Sequence, residues 1–162
     1  MADVFSVEKR SDIMSRIKSK NTKPELKMAE VLKDNSIPFK MHVGIIGKPD
    51  FILHGMGIAL FVDGEFWHGK TLTAAKREIL SEFWVNKLDR NMQRDKEVTL
   101  ALRKIGWCVI RVTDRDVNRR PDWVMSKIWR AHGQLVGKNR KVDPDTRVKA
   151  LAKTMIKRKK TK

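Results

Sequence analysis

The chain has 162 residues, 36 Lys and Arg against 19 Asp and Glu, and a net charge of +17. That length suffices for one domain with a real core, and 41% apolar residues argue against wholesale disorder. The charge points to a polyanionic partner, no apolar run is long enough for a membrane span, and a single cysteine, Cys108, excludes a disulfide framework or a cysteine zinc cluster.

Apolar spacing predicts a short helix over 10–20, with Ile13, Met14 and Ile17 on one face. Thr22-Lys23-Pro24-Glu25 has the form of a capping box and opens a second helix, with Leu26, Ala29, Val31 and Leu32 as its buried stripe. Asp34 to Pro38 breaks it. Three apolar runs follow, Phe39–Ile46, Phe51–Leu53 and Ile58–Val62, separated by turns at Gly47-Lys48-Pro49 and His54-Gly55-Met56-Gly57; they read as a meander. A loop over 64–80 leads into a long helix over 78–105, bent near Asp89. Trp107 to Val112 reads as a buried strand parallel to an earlier one. Pro121 opens a helix to about Leu135, and Pro144 opens a last one. The order predicts an α/β fold, a mixed central sheet flanked by helices.

The charge is uneven. Residues 138–162 hold eleven Lys/Arg against Asp143 and Asp145, which is +9, leaving +8 for the first 137 residues. The division expected is a catalytic domain over 1–137 and a basic, partly helical C-terminal arm over 138–162. Its end, with Lys157, Arg158, Lys159 and Lys160, reads either as a solubilising tail or as a phosphate-binding arm with salt-sensitive affinity. The start, Met1-Ala2-Asp3-Val4, lacks the basic-then-apolar order of a secretory signal, so a cytoplasmic protein of a bacterium or a phage is expected.

Chemistry concentrates in two linked runs, Gly47 to Ile52 and Asp63 to His68. Asp50 stands at the start of one strand and Asp63 at the end of another. If the strands are neighbours, both carboxylates converge on one metal ion, and Glu65, two residues on, falls on the same face. His68 can move a proton near neutral pH. Phe66 and Trp67 cannot both enter one core from an extended segment; one of them is a candidate wedge for a base stack. Trp84 is either a core residue of the long helix or a third wedge. Glu25 is explained by its cap alone, and Asp95 by surface pairing.

The series Arg10-Ser11, Met14-Ser15, Ile17, Ser19-Lys20, Thr22 and Pro24-Glu25, then Gly47, Pro49-Asp50 and Phe61-Val62-Asp63-Gly64, then Phe66-Trp67-His68-Gly69, resembles the very-short-patch repair (Vsr-type) endonucleases. Phe83-Trp84, Lys87, Asn91, Arg94-Asp95 and Gly106-Trp107 fit the same pattern. The resemblance implies a restriction-endonuclease-like α/β fold and Mg²⁺-dependent hydrolysis of a phosphodiester in double-stranded DNA, with nicking beside the T of a T:G mismatch. It makes Asp50 the main metal carboxylate, with the Val62 carbonyl as a second contribution. His68 is then the general base, Asp95 orients it, and Glu25 holds water at the metal. Asp63 occupies an acidic position shared by many members, and Asp50, Val62, Asp63 and Glu65 form the expected metal set. Phe66, Trp67 and Trp84 match the intercalating aromatics. No membrane and no small organic cofactor is implied.

The chain departs from the repair enzymes at their structural zinc. Glu65 stands at a cysteine position, Lys70 and Leu72 at further ligand positions, and Arg115 at a later cysteine. A zinc site needs about four such ligands, so no structural zinc is expected. Glu65 can instead bind a second metal ion or pair with a basic residue. The loss leaves a second reading open, a homing-type or phage endonuclease acting at a specific site in matched duplex. A third reading is a non-catalytic DNA-binding protein on a nuclease scaffold.

Overall fold

The structure is a computed structural model that describes residues 20–65 and 80–137, with Asp12, Thr73 and Glu78 as isolated positions. The first described helix, α1 (Lys23–Asp34), starts at Thr22, whose hydroxyl accepts the Glu25 N–H, with Pro24 in the first turn. Its buried face is Glu25, Met28, Ala29 and Leu32, an i, i+3, i+4, i+7 set. Leu26, expected in that stripe, lies a quarter-turn off it and is exposed, and Val31 is only partly buried. The helix closes at Asn35, and Ser36 takes a left-handed φ of 55°.

Three antiparallel strands follow: β1 (Lys40–Met41), β2 (Phe51–Leu53) and β3 (Ile58–Asp63). The first is much shorter than the apolar run from Phe39 suggests. His42 and Lys48 have φ of 51° and 49° and Gly47 of 74°, so the chain leaves the strand at His42 and loops back to Asp50. A 3₁₀ turn, His54–Met56, closed by Gly57, joins β2 to β3.

A long helix, α2 (Glu82–Lys104), carries the chain to β4 (Cys108–Thr113), which pairs with β3 in parallel. The helix runs continuously through Asp89, the position of the expected bend. A helix not foreseen, α3 (Asp114–Arg119), follows β4 directly; Thr113 and Asp116 form its reciprocal capping box. The final described helix is α4 (Pro121–Gly137). The expected helix over 10–20 falls almost wholly outside the described residues, as does the C-terminal arm; within 10–20 only Asp12 and Lys20 are described, Asp12 as helical.

The sheet order is β1-β2-β3-β4. One face packs Met28, Ala29 and Leu32 of α1, Val117 of α3, and Val124, Met125 and Ile128 of α4 against Phe51, Leu60, Ile110 and Val112. The other packs Leu102 and Val98 of α2 with Trp107 against Ile52, Ala59 and Phe61. This is the mixed α/β architecture expected from the order of elements. It has a consequence for chemistry: Asp50 just before β2, Asp63 at the end of β3 and Thr113 at the end of β4 come to one end of the sheet. No helix among the described residues is long and apolar enough to cross a membrane.

Candidate metal and nuclease site

Asp50 is held from across the strand edge. The Val62 N–H donates to its Oδ2 at 2.7 Å, and its own carbonyl accepts the His42 N–H at 3.1 Å. Burial pushes the carboxyl up from 3.8 to about 6; the Val62 hydrogen bond opposes this, the nearby Glu25 and Asp63 charges add to it, and His42 opposes it. A bound cation would favour the ionised form of such a carboxylate.

Glu25 comes to the same place from the first turn of α1. It is 5% exposed, its Oε1 takes the Thr22 hydroxyl at 2.9 Å, and its Oε2 is buried with no hydrogen-bond partner. The cap therefore accounts for one oxygen and leaves the other for the site. An unsatisfied buried carboxylate oxygen is costly, which is the condition a bound cation relieves.

The third member is His42, which sequence reasoning missed. Its Nε2 lies 3.1 Å from Asn21 Oδ1 and 3.5 Å from Glu25 Oε2. Glu25, His42 and Asp50 offer ligand atoms all within 4.8 Å of one another, and they form the one such group among the described residues. Both Asn21 and His42, whose side chains meet at 3.1 Å, have left-handed φ, 52° and 51°, which L-residues seldom take. The two carboxylates are ligands of the kind that suits Mg²⁺ or Mn²⁺, whereas an imidazole is more usual on later transition metals.

Asp63 is close by but engaged otherwise. Arg111, which pairs in register with Phe61, grips it with two hydrogen bonds: Nε to Oδ2 at 2.8 Å and the terminal nitrogen to Oδ1 at 2.7 Å. The same terminal nitrogen reaches Asp95 Oδ1 on α2 at 3.0 Å, and the guanidinium stacks over the Phe61 ring at 4.3 Å. Asp63, expected among the metal ligands, thus sits in an ion pair outside the three-residue group, because the β4 side chain beside it supplies its counter-charge. Asp95 is drawn into that network rather than lying on a solvated surface.

The other expected residues divide. His68, Phe66 and Trp67 fall outside the described residues, as do Lys157, Arg158, Lys159 and Lys160. The Glu65 N–H points to Asp114 Oδ1 at 3.4 Å, which ties the end of β3 to the start of α3. The N–H and C=O of a strand residue face the same edge, so the Val62 carbonyl points toward the Asp50 side. Trp84 is 8% exposed, and this buried ring cannot wedge a base stack as it stands. Its neighbour Phe83 is 46% exposed and packs edge-on against it at 5.2 Å, with Lys87 over both rings; Phe83 is the aromatic that the helix start presents to solvent. A signal for His42 existed: it is a histidine in the polar interruption of the strand run before Asp50.

The family model described as DNA mismatch endonuclease Vsr matches residues 2–74. The chain is 41% identical over 132 residues to the type II nicking enzyme V.NmeDIP of Neisseria meningitidis serogroup C, covering 80% of this chain and 89% of that protein. It is 37% identical to the type II nicking enzyme V.HpaIIP of Haemophilus parainfluenzae, over 80% of this chain and 94% of the relative. With the DNA mismatch endonuclease Vsr of Escherichia coli (strain K12) the identity is 31%, over 68% and 72%. Among solved structures, the catalytic domain of the homing endonuclease I-Bth0305I aligns with a TM-score of 0.46 at 23% identity, covering 69% of this chain and 98% of that domain. With relatives matched over most of their length, the chain belongs to the Vsr family of DNA endonucleases.

Proposed function

We propose that this endonuclease nicks mismatched or otherwise distorted double-stranded DNA in a reaction that requires Mg²⁺. The observation that carries the metal dependence is the buried Oε2 of Glu25, which accepts no hydrogen bond and lies with Asp50 and His42 in one ligand-sized group. Asp50 and Glu25 are the residues to hold the ion, with the Val62 carbonyl and His42 beside them. A bound divalent cation supplies positive charge against the charge that develops on the scissile phosphate.

The protein's own groups do the rest. His68 takes the proton from the attacking water, and Asp95 orients it, as the family resemblance implies. Asp95 is itself held by Arg111 at 3.0 Å, so the end of the sheet and α2 share one network. As the P–O bond breaks, the leaving oxygen needs a proton from the surrounding water or His68. Phe66 and Trp67, with the exposed Phe83, supply the aromatic surface for bases displaced from the stack. The arm over 138–162 adds phosphate contacts. The protein acts where bacterial or phage DNA is found, in the cytoplasm.

The preference for mismatch rests on the nicking and mismatch enzymes among the relatives and on the retained aromatics. Strand-labelled duplexes with a T:G mismatch, with matched pairs and with unrelated sequence are compared in Mg²⁺ and in EDTA. The expected result is a single-strand nick in the mismatched duplex, absent in EDTA. Cleavage of one matched sequence in preference to the mismatch would replace this reading with a homing-type or phage site-specific one.

A further inference from the structure

We infer that Arg111 is a positioning residue that withholds Asp63 from the metal group, so that the site takes one divalent cation and not two. This rests on the metal-site reading above and concerns how many of the clustered carboxylates are available to it.

Asp63 is 3% exposed and Arg111 approaches it with both arms of a fork, one nitrogen to each oxygen, at 2.8 and 2.7 Å. That is the strongest geometry an arginine offers a carboxylate. The guanidinium cannot swing away, because Phe61 stacks on it at 4.3 Å and Asp95 holds the same terminal nitrogen at 3.0 Å. Its remaining nitrogen is buried without a partner, so it is boxed in rather than reaching to solvent. Burial works against its charge, but the Asp63 hydrogen bonds and the Asp63, Asp95 and Asp50 charges more than offset this, and the arginine stays cationic.

The consequence is a division of labour among carboxylates that lie within electrostatic reach of one another. Glu25 and Asp50 have only the His42 imidazole beside them, whereas Asp63 has a guanidinium, fixed and covalently attached to β4. Without it, Asp63, which comes to the same end of the sheet as Asp50, would offer two carboxylate oxygens to a second ion. A lysine would keep the charge but not the fork.

Mn²⁺ binding to the full-length protein, followed by the electron paramagnetic resonance of free Mn²⁺, tests this without reference to cleavage. The wild type, Arg111→Lys and Asp63→Asn should each bind one Mn²⁺ per chain, and Asp50→Asn none. Arg111→Met should bind a second ion, and Arg111→Met combined with Asp63→Asn should lose that second ion again. Circular dichroism checks that each variant is folded. A folded Arg111→Met chain with no second ion overturns the inference. So does loss of the wild-type ion in Asp63→Asn, which would make Asp63 a ligand; this comparison decides alone if Arg111→Met does not fold. If Asp50→Asn keeps its ion, the metal-site reading itself fails and this inference falls with it. If Asp50→Asn and Asp63→Asn both lose the ion, the metal reading stands and only the role of Arg111 falls.

Discussion

Val62 donates its backbone N–H to Asp50 Oδ2 at 2.7 Å, so the strand that ends in Asp63 also aims the carboxylate that precedes β2. A main-chain donor cannot rotate away, and the orientation of Asp50 is built into the pairing of β2 with β3. Replacing Asp50 by Ala should therefore abolish nicking while DNA affinity stays close to that of the wild type. Parallel cleavage and gel-shift titrations check it; lost binding would mark Asp50 as structural instead.

The raised pKa of Asp50 has a stability consequence of defined sign. Its folded value, about 6, lies above the unfolded 3.8, so the native state holds the extra proton in that interval. The stability this group contributes is fully present below pH 3.8 and is lost as pH rises through about 6. In metal-free protein at pH 7 to 8, Asp50→Asn should thus be more stable than wild type by about 3 kcal/mol, the Asn oxygen keeping the Val62 hydrogen bond. Mg²⁺ should raise the Tm of the wild type and not of the variant. Thermal melts at several pH values in EDTA and in Mg²⁺ measure both.

Gly47 sets the loop that carries Asp50. Its φ is 74°, and a Cβ there would collide with Val98 Cγ1 of α2. Gly47→Ala should cost about 1–2 kcal/mol from the backbone alone, with the collision in addition. Pairing it with Val98→Ala should recover the steric part and leave the backbone part, as denaturant titrations of the single and double variants would show. Cleavage should fall further than stability does, because His42 and Asp50 move with the loop.

The two aromatics at the start of α2 should separate cleanly. Trp84→Ala removes a buried ring and should destabilise by about 3–5 kcal/mol. Phe83→Ala should change stability by about 0.5 kcal/mol or less and still reduce cleavage of a mismatched duplex. Equal effects of both on stability, with none on cleavage from Phe83, would remove Phe83 from the DNA surface.

Removal of residues 138–162 takes away eleven cationic side chains and two acidic ones. Binding to duplex DNA should weaken, and the slope of log K against log salt should flatten in proportion to the phosphates that are no longer neutralised. An unchanged slope would leave the segment as a solubilising tail.

Much of this protein was written in local pattern. The cap at Thr22, the three apolar runs, the long helix and the strand after Gly106 follow from residue spacing, and Asp50 stood out through its neighbours Gly47 and Pro49. What local pattern does not contain is which side chain faces which. Leu26 is apolar yet lies off the packed face of α1. The strand after Phe39 stops at Met41 because the chain turns into left-handed conformations at His42, and that turn delivers the imidazole to Glu25. The pairing of Asp63 with Arg111 is not legible locally, because the two are distant in sequence and adjacent only through the parallel pairing of β3 with β4. The sequence by itself determined the family, the charge and, apart from α3, the order of the described elements, since these depend on residue identity and near-neighbour spacing. Only the tertiary structure decided that Glu25, His42 and Asp50 cluster while Asp63 and Asp95 share Arg111, because that depends on long-range strand pairing and on the turn at His42.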